Sequence, residues 1–146
     1  MNSSIKNDGG AFMYLMKLSN EKRHLFLDLE IYLSKTDGEF DDSEKRIIDT
    51  HCIEMHIDNN GYECELPLDQ VFQNIHEKCT TEEKHIIFIE LLAVVMADNV
   101  YHESEKVIVN RLAEVLDIGE KEIEYAFQAV NKMREAYEEF AHFVFR

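Results

Sequence analysis

The chain has 146 residues, 45% of them hydrophobic, which suits one domain whose core needs no metal or disulfide staple and is too apolar for a disordered segment. A formal charge of −15 argues against a nucleic-acid partner, because phosphate binding needs clustered Lys and Arg, and against adsorption to an anionic membrane surface. One proline and five glycines leave little punctuation, so the elements are read from helical spacing.

Residues 11–18 are predicted as a short first helix, followed by a helix over 21–36 with Leu25, Leu29, Tyr32 and Leu33 on one stripe. A third helix over about 43–57 buries Ile48, Cys52 and Met55, and the Asn-Gly and Pro signals of Asp58–Pro67 mark a loop. The next helix, over about 68–79, uses Phe72, Ile75 and Cys79. Thr80 and Glu83 form a capping box for a helix over about 81–98, apolar on nearly every side between Ile86 and Ala97 and therefore read as central. Glu90 interrupts that run; the expectation is that it reaches solvent through the one open side of the helix. A helix over about 103–117 stops near Gly119. From Glu120 a stripe of Ala126, Val130, Met133, Tyr137, Phe140 and Val144 continues as one long helix or two. The expected fold is all-α, a compact bundle of about seven helices forming a single domain over residues 1–146.

No stretch reaches the roughly 20 apolar residues of a spanning helix, and no export pattern follows Lys6. Cys52, Cys64 and Cys79 do not make a secreted disulfide framework, so a reduced, cytoplasmic setting is expected.

Asp37, Glu39, Asp41, Asp42 and Glu44 crowd five carboxylates into eight residues. A shift of 61 residues gives this segment a partner, laying Tyr32–Asp49 over Ala93–Asn110. Asp37 falls on Asp98, Gly38 on Asn99, Phe40 on Tyr101 and Ser43-Glu44-Lys45 on Ser104-Glu105-Lys106. Each copy reads as an apolar helix, an Asp, a residue tolerant of the left-handed backbone, a short link and a Ser-Glu-Lys helix start. Two similar hairpins with related acidic corners are therefore expected.

The segments "KTDGEFDDSEK" and "MADNVYHESEK", followed by "RLAEVLDI", resemble the two halves of the tellurite-resistance TerB family over roughly residues 20–130, with 131–146 as a helical extension. The resemblance implies a small all-helical bacterial domain in a stress or tellurite-resistance setting, holding a divalent metal on acidic positions. Carried over by position, these are Asp37, Glu44, Asp98 and Glu105, with Glu39, Asp41 and His102 as additional donors. The second copy departs from the first at Asn99, at Val100 (where Glu39 stands in the first) and at His102 (where Asp41 stands).

Such oxygen donors suit Ca2+, Mg2+ or Mn2+. The spacing is not an EF-hand, since Asp42 and Ile48 occupy the places of its Gly and Glu. The same acids also read as helix caps, Asp41 and Glu44 forming a second capping box, and the domain then becomes a ligand-free protein-interaction module. Both readings stay open.

Cys52 with His56 and His76 with Cys79 have helical spacing for zinc, but both cysteines fall on apolar stripes and are read as core in preference to ligands. No Gly-rich phosphate loop, HExxH or GxSxG motif is present, and a non-enzymatic role is expected. Most of the seven histidines are expected on solvated faces. The tail aromatics Tyr137, Phe140, Phe143 and Phe145 are expected to complete the core, the alternative being a patch for self-association or a protein partner.

Overall fold

A computed structural model describes residues 14–35, 42–58, 62–64, 66–96 and 103–146; the side chains of 42–44, 104 and 105 lie outside the description. A single 3-10 turn, Leu15–Lys17, precedes α1 (Asn20–Lys35), α2 (Asp42–Met55), α3 (Leu68–Lys78), α4 (Thr81–Val95), α5 (Glu103–Val115) and α6 (Glu120–Val144). No strand occurs among the described residues. The all-α reading holds, with two adjustments. What was read as a first helix over 11–18 is one 3-10 turn, residues 11–13 lying outside the description, and the last stretch is one uninterrupted helix.

Two helices form the centre. Leu25 to Glu30 of α1 are buried without a break, and α4 buries Ile86, Ile87, Phe88, Leu91, Leu92, Ala93 and Val95 around its circumference. α1 packs against α2, α3 and α4; α4 packs against α5 and α6; α3 meets α5. Phe26, Leu27, Leu29, Ile75, Ile87, Leu92 and Leu112 are fully enclosed, and each such side chain contributes about 1.5–3 kcal/mol by leaving water.

The 61-residue repeat is written into the elements. α1 and α4 begin at Asn20 and Thr81, and α2 and α5 at Asp42 and Glu103, each pair 61 positions apart. Buried Ile48, His51, Cys52, Met55 and Ile57 correspond to buried Val109, Leu112, Ala113, Leu116 and Ile118. The helix ends repeat as well. His56 and Asp117, also 61 apart, are the two non-glycine residues with positive φ among the described residues, both at 58°. In the first copy His56 N–H donates to Ile53 O at 3.2 Å and Ile57 N–H to Cys52 O at 2.8 Å. In the second, Asp117 N–H donates to Glu114 O at 3.2 Å and Ile118 N–H to Ala113 O at 2.9 Å. These are duplicated Schellman caps, each closed by an isoleucine tucked against the core. With α3 on α1 and α6 on α4, the duplicated unit has three helices, one more than the hairpin read from the sequence.

Candidate functional site

The acidic corners lie at the edge of the described structure. Asp37, Glu39, Asp41, Asp98 and His102 fall outside the described residues. Glu44 and Glu105 are each the third residue of their helices, α2 and α5, with side chains outside the description. The neighbouring lysines are engaged locally: Lys45 Nζ lies 3.0 Å from Asp49 Oδ2, and Lys106 Nζ 3.2 Å from Glu103 Oε1. Arg134 of α6 donates to the carbonyl of Met96, the cap of α4, and so ties α6 to the point where the second corner begins.

The two Cys/His pairs with zinc spacing sit in different surroundings. α2 ends at Met55, so His56 sits in the left-handed cap, exposed, while Cys52 turns into the core. Burial first, then the nearby Glu30 and Asp49 carboxylates, push the Cys52 thiol up to about 12. His76 is occupied by the carbonyl of Val115 at 2.8 Å, and Cys79 caps α3 from a buried position. Among the described residues no three His, Cys, Asp or Glu side chains are grouped to share an ion.

The core holds a polar cluster that the sequence reading missed. Glu30 of α1 and His51 of α2, 0% and 1% exposed, are hydrogen-bonded through Oε2 and Nδ1. Glu30 Oε1 is buried with no hydrogen-bond partner among the described residues. Burial raises the Glu30 pKa and the histidine partly offsets it, while Glu54 on the next turn of α2 raises it further. His51 corrects the expectation of a solvated histidine, whereas His56, His76, His85 and His142 are exposed as expected. The signal was available: His51 lies three residues after Ile48 and four before Met55, on the buried stripe of α2.

Glu90 is the second correction. It is 4% exposed, and instead of reaching solvent it turns inward, where Oε2 accepts the backbone N–H of Tyr14 at 2.9 Å. Desolvation pushes its carboxyl up to about 8; the Tyr14 hydrogen bond opposes the shift, and Glu54 and Glu30 reinforce it. The half-buried Glu54 of α2 thus acts on two interior carboxyls, Glu30 of α1 and Glu90 of α4. The Glu90 carboxyl lines a cavity of about 250 Å³ between α4 and α6. Ala93 and Ala129 are too small to fill the gap between the helices, which leaves this space.

The tail aromatics are the third correction. Phe140, Phe143 and Phe145 are 64%, 70% and 82% exposed, and α6 buries only Ala126 and Val130. α6 packs on α4, a helix ten residues shorter, and among the described residues it buries none beyond Val130.

Fold and site together define a class: an acidic, all-helical domain built from a duplicated three-helix unit. The family model described as Tellurite resistance protein TerB matches residues 59–128, and the chain is TerB-like over that stretch. The match runs from the loop after α2 into the first part of α6 and contains the second acidic corner but not the first. No curated protein and no solved structure matches the chain. No helix among the described residues is long and apolar enough to cross a membrane.

Proposed function

We propose that this TerB-like domain is a non-enzymatic, cytoplasmic cation-responsive module that binds Ca2+, Mg2+ or Mn2+ at its two acidic corners. Asp37 and Glu44 supply carboxylates in the first, Asp98 and Glu105 in the second, with Glu39, Asp41 and His102 as further donors. One observation carries the reading. α2 and α5 begin 61 residues apart, so Glu44 and Glu105 occupy the same place in the first turn of equivalent helices. A backbone geometry that serves one corner is then available to the other.

Hard carboxylate oxygens match hard divalent cations, and a chain of charge −15 favours cation capture over anion capture. Binding neutralises acids that repel one another and changes the surface offered to a partner. The TerB match supports a role in resistance to tellurite or another stress. A second reading, a ligand-free interaction module, draws on the exposed Phe140, Phe143, Val144 and Phe145 at the end of α6.

Calorimetric titration with each cation tests the first reading, repeated on D37A/D98A. Saturable binding that the double variant loses, with helicity kept, supports it. Absence of binding by the natural protein overturns it in favour of the second reading, and unchanged binding by the variant removes these residues as ligands.

A further inference from the structure

A cavity between α4 and α6 is lined by none of the residues of the acidic corners. Its walls are Ile89, Ala93, Val130 and Met133, with Tyr14 and the exposed Ala129 at its edge, and the one carboxyl among its lining residues is that of Glu90. A pocket that is apolar apart from a single buried polar group has the composition of a small-molecule site. The carboxyl has a definite orientation, because Tyr14 N–H holds Oε2, and this is the single hydrogen bond that Glu90 makes among the described residues.

The charged groups around it decide the sign of a ligand. Glu30 from α1 and Glu54 from α2 are both acids and both act on Glu90. His51 is committed to Glu30. Arg23 of α1 donates to the carbonyls of Met55 and Met16, and Arg134 of α6 to that of Met96. Among the described residues, then, the charged groups that act on Glu90 are acids and no cation is bonded to it, and burial keeps it protonated near neutral pH, its pKa raised to about 8. The neighbouring acids disfavour an anion here, whereas an ammonium group becomes the counter-charge of a Glu90 carboxylate formed as it binds. For size, an apolar cavity of about 150 Å³ takes benzene, so about 250 Å³ admits a ring with a short aminoalkyl arm.

We propose that this cavity is a binding site for a small amine with an apolar body, its ammonium group against the Glu90 carboxyl and its hydrocarbon part against Ile89, Ala93, Val130 and Met133. At pH 7 the amine arrives already protonated, and Glu90 ionises on binding. The Glu90 proton goes to the buffer, so association is coupled to the release of close to one proton.

The test is calorimetry of the full chain with 2-phenylethylamine at pH 7, in phosphate and in Tris so that proton release is read from the buffer dependence of the heat. 3-Phenylpropionate serves as the anionic control of similar size. The proposal expects one-to-one binding of the amine with proton release and at least tenfold weaker binding of the carboxylate. Glu90→Gln is expected to lose the proton release and at least tenfold in affinity. Ala129→Phe, at an exposed rim position, should close the cavity and remove binding while far-UV ellipticity stays unchanged. The proposal is overturned if the folded natural protein binds no amine, if amine and carboxylate bind alike, or if either variant binds as the natural protein does.

Discussion

Replacing Glu90 by Gln should make this protein more stable, and by an amount that depends on pH. The ordinary carboxyl value of 4.5 rises to about 8 in the fold. Between these values the folded chain keeps a proton that the unfolded chain has released. Stability contributed by the protonated acid is therefore complete below the unfolded value, falls as pH rises through the window, and is gone above the folded value. At about 1.4 kcal/mol per pKa unit, the loss is on the order of 3 kcal/mol by pH 7 and 5 kcal/mol by pH 9. Gln cannot ionise, and its amide oxygen can still accept the Tyr14 N–H. Urea unfolding followed by far-UV ellipticity at pH 5, 7 and 9 measures the difference between the two proteins, in which the titration of the other acids cancels. Glu90→Gln should lie within about 1 kcal/mol of the natural protein at pH 5, given the usual worth of one hydrogen bond, and exceed it progressively at pH 7 and 9. A difference that stays flat from pH 5 to 9 refutes the reasoning.

Removing the partner of a second interior acid, Glu30, should act the opposite way. His51→Ala leaves Glu30 enclosed with neither oxygen paired to the ring, and is expected to cost about 3–5 kcal/mol; Glu30→Leu/His51→Leu should cost less, and denaturant midpoints compare them. The two left-handed caps carry ordinary side chains at φ 58°, so His56→Gly and Asp117→Gly should each gain on the order of 0.5–1 kcal/mol. A lower melting temperature in both contradicts the cap assignment. Phe140→Glu and Phe143→Glu, at exposed positions near the end of α6, should change unfolding free energy by no more than about 0.5 kcal/mol. A loss of several kcal/mol in chemical denaturation shows that these rings are packed.

Helix positions were legible because apolar residues recur at helical spacing and because Thr80 and Glu83 announce a start that the structure realises, Glu83 N–H donating to Thr80 Oγ1 at 3.1 Å. The duplication was legible in its sequence offset, and the offset of 61 returns in helix starts, buried positions and caps. What stayed hidden depends on distant partners. Asp28 and Glu30 look like the polar face of an amphipathic helix until α2 and the Tyr62 loop close over them, with Tyr62 donating to Asp28 at 2.7 Å. Glu90 looks like an escape to solvent until the chain near Tyr14 covers it. The caps at His56 and Asp117 escaped notice because neither position holds the glycine that usually marks a left-handed helix end. The tail misled in the other direction. Its stripe is a true helical stripe, but periodicity says which face is apolar and not whether another helix reaches it. The acidic corners were legible as a pattern, and their residues lie largely outside the described structure.

The claim that this TerB-like domain takes up cations at duplicated corners is tested most directly by where a bound ion sits. Substoichiometric Mn2+ added to isotope-labelled protein broadens amide signals by proximity. Selective loss of the signals at the starts of α2 and α5, around Glu44 and Glu105, with recovery in D37A/D98A, is the result expected. No selective broadening, or broadening centred elsewhere, contradicts the account.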